Sequence, residues 1–240
     1  VAERPGPVRF GDAAVAGLLE EVAVSVYLNG RHFAAAMTVP DRLAELAIGL
    51  LVTEQAVRYM DEVESVREDG PCVRVLTRDP FRAVVPRRGV ITGCGGAASH
   101  LSERRVPPLP PGPPIDAARV RAALAMVQRP PPGLFSVALL LPGGASITSD
   151  DLGLGTALAR VVGAAVKAGA PRDGAVAALS HRATAELARA AVIAGIPVLA
   201  SAGSATGLSA GLADRSGLCL CGGGSGDGFV CYSHPERLLP

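Results

Sequence analysis

The sequence predicts an α/β protein with a smaller α+β part ahead of it. Three observations carry that reading. From residue 175 onward, strand-like runs alternate with helical ones, the pattern of crossover units on a largely parallel sheet. The strands there are almost wholly apolar, as expected for a sheet covered on both faces. The first third instead holds a hairpin signal, one amphipathic helix and short strands. The expected organisation is an N-terminal part over residues 1–105, a proline-rich linker over 106–115, and an α/β domain over 116–240.

Each element follows from local chemistry. Residues 1–20 read as a weakly ordered lead-in. Residues 22–28 are β-prone, and Asn29-Gly30 is the dipeptide of a type I′ turn, so 32–39 should return as the paired strand. A helix follows Pro40-Asp41, with Asp41 expected as its cap. Leu43, Leu46, Ala47, Leu50 and Leu51 give it one apolar face. Short strands follow at 63–66, 73–76 and 82–85. The prolines at 107, 108, 110, 111, 113 and 114 exclude helix and central strand, because proline lacks an N–H and blocks helical continuation. This run reads as a stiff linker, with a surface loop as the alternative.

Beyond it, 116–127 is a helix capped by Asp116. Residues 134–141 are an apolar strand, Pro142-Gly143-Gly144 a turn into a short strand, and 152–167 a helix. Strands at 175–179, 197–200, 218–221 and 229–232 then alternate with helices at 183–194 and 205–214.

Composition bounds the function. The chain has 240 residues, 49% of them hydrophobic and 19% charged, which excludes a disordered chain. A chain of this length buries roughly 70–75% of its unfolded surface and needs no staple to hold a core. The net charge of +1 argues against a broad nucleic-acid footprint. No apolar run is long enough to span a membrane, and no signal peptide is visible at Val1. Five cysteines, an odd number, suggest a reduced, cytoplasmic setting.

Cys94 is the leading candidate for a reactive group. It sits in Thr92-Gly93-Cys94-Gly95-Gly96, where glycines permit an open turn and backbone N–H groups favour a thiolate. Arg87, Arg88 and His100 are close in sequence. The alternative is a small buried residue in a tight turn. Gly222-Gly223-Gly224-Ser225-Gly226-Asp227-Gly228 is either a phosphate-approaching loop or a plain hairpin connection. Ser180-His181-Arg182 ends a strand and opens a helix, a favoured ligand position in open sheets, and Arg182 could hold an anion. Asp150-Asp151 could act as acid and base or cap a helix. Cys219-x-Cys221 with Cys231-x-x-His234 invites a zinc reading, but zinc knuckles space their cysteines by two to four residues. Residues two apart in a strand share a face, so core packing is expected and no metal.

Further stretches carry a resemblance. They are Ser180-His181-Arg182-Ala183-Thr184-Ala185-Glu186-Leu187, Ala194-Gly195-Ile196-Pro197-Val198-Leu199-Ala200-Ser201, Ser204-Ala205-Thr206-Gly207-Leu208 and Tyr232-Ser233-His234-Pro235-Glu236-Arg237-Leu238. With Tyr27-Leu28-Asn29-Gly30, the helix ending Leu50-Leu51-Val52-Thr53-Glu54, and Thr92-Gly93-Cys94-Gly95, they resemble the FdhD family over about residues 20–240. The resemblance implies a cytidine-deaminase-like three-layer α/β C-terminal domain with a smaller α+β N-terminal part. It implies a sulfurtransferase that takes persulfide sulfur from a cysteine desulfurase on Cys94 and passes it to the molybdenum cofactor of formate dehydrogenase. It also implies a molybdenum bis-guanylate cofactor, or a guanine nucleotide, as transient ligand. The cofactor-binding candidates are Gly223, Gly224, Ser225, Gly226, Asp227, Gly228, Ser180, Arg182, Ser204, Thr206 and His234. A homodimer or a dimer with a paralogue is expected.

The sequence departs from the family pattern in places. Ala97 replaces the second loop cysteine, Leu134-Phe135 a Thr-His pair, and Asp151-Leu152-Gly153-Leu154-Gly155-Thr156-Ala157 lacks an arginine and a histidine. Fewer arginines mean fewer paired, charge-assisted bonds to a diphosphate. Two alternatives follow: a diverged enzyme acting on a small metabolite, and a non-catalytic binding subunit.

Overall fold

The structure, a computed structural model, describes residues 17–80, 91, 92, 96, 97, 106–223 and 228–240. The expected strand at 82–85, Cys94, and Gly224, Ser225, Gly226 and Asp227 lie outside the described residues.

In chain order the elements are β1 (Val22–Leu28), β2 (Arg31–Thr38), α1 (Leu43–Thr53), β3 (Val63–Asp69), β4 (Cys72–Thr77), β5 (Ile91–Thr92), β6 (Gly96–Ala97), β7 (Ile115–Asp116), α2 (Ala117–Val127), β8 (Phe135–Leu140), β9 (Ser146–Asp151), α3 (Leu154–Lys167), β10 (Val176–Leu179), α4 (Ala185–Ile193), β11 (Val198–Ser201), α5 (Gly207–Ser216), β12 (Cys219–Gly222), β13 (Val230–Ser233) and β14 (Leu238–Leu239).

Among the described residues, the N-terminal part is a four-stranded sheet in the order β2-β1-β4-β3. Asn29 and Gly30 both take positive φ, as a type I′ turn requires, and close the β1–β2 hairpin. The helix that follows starts later than expected. Asp41 does not cap it: Arg42 occupies the cap position in the left-handed region with no side-chain cap bond. Glu68 on β3 instead accepts from the Ala44 N–H at 3.0 Å, so a distant carboxylate satisfies the helix end.

α1 belongs to two cores. Ala47 and Leu51 join Val24, Val26, Phe33 and Val73 of the small sheet. Ile48 and Val52 join the core of the C-terminal part with Leu158, Val161 and Val162 of α3. The helices approach closely at Gly49 and Gly163. A methyl on Gly163 would overlap the Glu45 carbonyl, and one on Gly49 the Ala159 carbonyl. Only a residue without Cβ permits that backbone approach.

The larger sheet has the order β13-β12-β11-β10-β8-β9 among the described residues. It is mixed, which corrects the expectation of a largely parallel sheet. β10, β11 and β12 are parallel because α4 and α5 carry the chain back between them. β8 and β9 form an antiparallel hairpin across the Pro142-Gly143-Gly144 turn, and β8 runs antiparallel to β10. β12 and β13 are also antiparallel. One face carries α3, α4 and α5 over Val137, Leu139, Ala177, Leu179, Leu199 and Leu220. The other carries α2, whose Val120, Ala123 and Val127 cover Ala138, Leu140, Val176, Ala178 and Val198. The result is three layers on an α/β plan. Asp116 caps α2 as expected, accepting from Ala118 N–H at 2.7 Å.

The proline-rich run is held at Leu109 and Pro110. Leu109 N–H donates to Ser216 O, and Arg237 donates to Pro110 O at 2.9 Å. β7 then pairs in parallel with β14.

Candidate functional site

The parallel strands end together at one edge. Leu179 lies level with Ser201, and Ala200 with Cys221, so Ser180, Ala202 and Gly223 leave the sheet side by side. The N-termini of α4 and α5 open at this edge, as expected where crossover helices follow parallel strands. Their dipoles direct positive ends outward. Thr184 caps α4 and Thr206 caps α5, the latter in a reciprocal box with Ser209.

Hydrogen bonds lock the two loops together. Ala183 N–H donates to Ser204 O at 3.0 Å, and Thr206 N–H donates to Ala183 O at 3.1 Å. The Ser201 hydroxyl donates to His181 O at 2.6 Å. Gly223 N–H donates to Gly203 O at 2.7 Å, fixing the start of the glycine-rich loop. Four expected site residues, Ser180, Arg182, Ser204 and Thr206, are thereby brought together with Gly223. Arg182 and Ser204 are exposed.

Ser180 is built into a polar chain. Its Oγ accepts from Ser136 N–H at 3.0 Å and lies 3.1 Å from His181 Nδ1. The Ser136 hydroxyl in turn donates to the Asp150 carboxylate. The His181 ring stands edge-on to Phe135 at 4.8 Å between centroids. The carboxylate of this chain meets Ser136, not the imidazole, so the groups do not form a nucleophile–base–acid series.

Asp151 has turned away from the edge. Gly153 holds the cap position of α3. Asp151 accepts from the Thr38 hydroxyl at 2.6 Å and pairs with Arg160 at 2.7 Å, fully buried. Of the adjacent carboxylates, one is structural.

His234 is at the opposite edge. It follows Ser233, which lies level with Leu220, and its ring nitrogens meet the Glu236 carboxylate at 2.6 Å and Asp214 O at 2.8 Å. It fixes the C-terminal turn and does not join Ser180, Arg182, Ser204 and Thr206. Gly228 is described and exposed, just ahead of β13.

The three C-terminal cysteines come together on the α2 face. The Sγ atoms stand 3.6 Å apart for Cys219 and Cys221, 3.4 Å for Cys219 and Cys231, and 3.3 Å for Cys221 and Cys231. The first two are buried and Cys231 is half-buried. Hydrogen bonds from Cys219 and then Cys221 draw the Cys231 thiol down from its ordinary range. The Cys221 thiol is driven far up by its bond to Cys219, then by that to Cys231 and by burial.

Residues 19–239 match the model of the FdhD/NarQ family. The chain belongs to that family. Its FdhD/NarQ relatives include the sulfur carrier protein FdhD of Anaeromyxobacter dehalogenans strain 2CP-1, 33% identical over 99% of this chain and 93% of the relative. The sulfur carrier protein FdhD of Variovorax paradoxus is 29% identical over 91% of this chain and 85% of its own. The fold matches the crystal structure of a candidate formate dehydrogenase accessory protein from Desulfotalea psychrophila. The TM-score is 0.72 at 18% identity, covering 92% of this chain and 90% of that one.

In this FdhD/NarQ chain the residues flanking Cys94 pair as β5 and β6, with Thr92 opposite Gly96 and Ile91 opposite Ala97. β6 lies against α3. The signal that would have found the cysteine cluster is the pairing of β12 with β13: once these strands are read as antiparallel neighbours, Cys231 falls opposite Cys221. Among the described residues, no helix is long and apolar enough to cross a membrane.

Proposed function

We propose that this protein is a sulfur carrier. Cys94 accepts a persulfide sulfur from a cysteine desulfurase and passes it toward the molybdenum cofactor of a formate dehydrogenase. The observation that carries this reading is the match of 99% of the chain, at 33% identity, to a protein named sulfur carrier protein FdhD. The loop cysteine of the family's pattern is kept as Cys94.

Loading is a thiolate exchange. The Cys94 thiolate attacks the outer sulfur of the desulfurase persulfide. The S–S bond in the desulfurase breaks, a new one forms on Cys94, and the desulfurase cysteine leaves as thiolate. No net oxidation occurs. With Ala97 in place of a second cysteine, no disulfide can close within the loop, so the terminal sulfur waits for an outside acceptor.

The edge formed by Ser180, Arg182, Ser204, Thr206 and Gly223 is the proposed place for an anionic part of the acceptor or a guanine nucleotide. The described cations at this edge are Arg182 and, when protonated, His181, beside two helix N-termini. The Thr206 hydroxyl and Ser180 Oγ each accept a backbone N–H, from Ser209 and Ser136, which leaves the Thr206 O–H able to donate. This donor set fits one phosphate-sized anion. Among the described residues it lacks the several paired arginines that the two diphosphates of a bis-guanylate held at once call for.

The test is to incubate the protein with a cysteine desulfurase and cysteine, then read intact mass. One added sulfur atom is expected, absent from Cys94→Ala. No adduct on wild type, or an equal adduct on the variant, overturns the reading. Full recovery of formate dehydrogenase activity in cells by Cys94→Ala would favour a non-catalytic binding subunit.

A further inference from the structure

The cysteine cluster includes neither the proposed sulfur-loading residue nor any residue of the strand-end edge. Cys219 and Cys221 share a face of β12 by the two-residue strand period. Cys231 is their neighbour on β13, directly opposite Cys221. The register shifts between Leu220 and Cys221, inside the cluster. Such bulges re-aim side chains. The outcome is a triangle of sulfurs with edges of 3.3, 3.4 and 3.6 Å, formed by three free thiols.

That triangle has the size of a metal-binding face. With zinc–sulfur bonds of about 2.3 Å, a cation equidistant from all three sulfurs would stand about 1.2 Å off their plane. A position off the plane makes the arrangement pyramidal, three corners of a tetrahedron, and leaves a fourth corner open. His234 does not fill it, since both ring nitrogens are engaged with Glu236 and Asp214. Soft thiolates select zinc and other thiophilic cations over magnesium or calcium. Access is available: β13 is the edge strand of its sheet, Cys231 is half-buried, and its neighbours Val230 and Tyr232 are exposed.

We propose that Cys219, Cys221 and Cys231 form a three-thiolate site for a thiophilic divalent cation, zinc by geometry, whose fourth ligand is water or an incoming sulfur ligand. Binding forms three metal–sulfur bonds and sends the displaced thiol protons to solvent, with no change of oxidation state. The site does not use Cys94, so it stands whether or not the sulfur-carrier reading does.

The test uses the full chain, reduced with a phosphine and stripped of metal, titrated with cadmium as an ultraviolet-active probe for zinc. Thiolate-to-metal charge-transfer absorption should rise to a break at one equivalent per chain. Cys231→Ser should remove the break, while Cys72→Ser and Cys94→Ala keep it. No break on wild type, or a break retained in Cys231→Ser, overturns the proposal. Should Cys231→Ser fail to fold, wild type alone decides. Zinc should slow alkylation of Cys231 by at least about tenfold, as expected for a coordinated thiolate, and leave Cys72 unchanged. Equal rates at Cys231 with and without zinc would overturn it.

Discussion

The Asp151 carboxylate meets the Arg160 guanidinium at 2.7 Å, and neither side chain has exposed surface. The pair reaches into both parts of the protein. Thr38 at the end of β2 donates to Asp151 and accepts from Arg160 at 2.6 Å, and Ser149 accepts from Arg160 at 2.9 Å. Removing one partner of a buried ion pair typically costs about 3–5 kcal/mol, because the other charge stays buried. Asp151→Asn and Arg160→Met should each lower urea-unfolding stability by that order. The double variant should recover only part, since the polar groups of Thr38 and Ser149 lose their partners too.

Gly163→Ala tests the helix contact. The added methyl would overlap the Glu45 carbonyl, so α1 and α3 must separate. Overpacking of a fitted contact costs about 1–3 kcal/mol, and more where backbone must move. Thermal unfolding should show a lower Tm. An unchanged Tm would mean the helices do not approach as described.

Glu186 gives the stability a pH dependence. Burial, then the charge of Glu54, raises its carboxyl from 4.5 to about 7, with Arg189 opposing. A raised carboxyl favours the folded state when protonated. Its contribution is therefore complete below pH 4.5 and lost as pH rises through about 7. Glu186→Gln should be more stable than wild type at pH 8, by a few degrees in Tm. At pH 4 the two should coincide.

Arg182 and Thr206 should separate binding from stability. Arg182→Ala should weaken guanosine diphosphate binding by about 1.5–3 kcal/mol, the range of a charge-assisted hydrogen bond, in calorimetric titration. Thr206→Ala removes a helix cap and should lower stability by about 1 kcal/mol. If Arg182→Ala binds as wild type does, the strand-end edge is not an anion site.

Much of this architecture was legible in the sequence because its signals are local. Asn29-Gly30 specifies its turn by the φ values it tolerates, and Asp116 caps the helix two residues on. The alternation beyond residue 175 gives β10, β11 and β12 their parallel order. What was not legible depends on residues far apart. Glu68 replaces Asp41 at the start of α1 from 24 positions away. Asp151 abandons a capping role for partners at Thr38 and Arg160. β8 runs antiparallel to β10, a pairing direction that the local pattern of neither strand carries. Among the candidate site residues, Ser180, Arg182, Ser204 and Thr206 converge because strand ends in a parallel sheet must. His234 was grouped with them by motif, yet strand direction takes it to the other edge.

α1 ends with a mechanical consequence. Because Ala47 and Leu51 anchor it in one core while Ile48 and Val52 anchor it in the other, neither core can open while the helix keeps both attachments. The N-terminal sheet cannot swing as a lever on the proline-rich run. Unfolding should appear in a calorimeter as one cooperative transition, and a chain nicked at the prolines should yield two fragments that travel together through gel filtration.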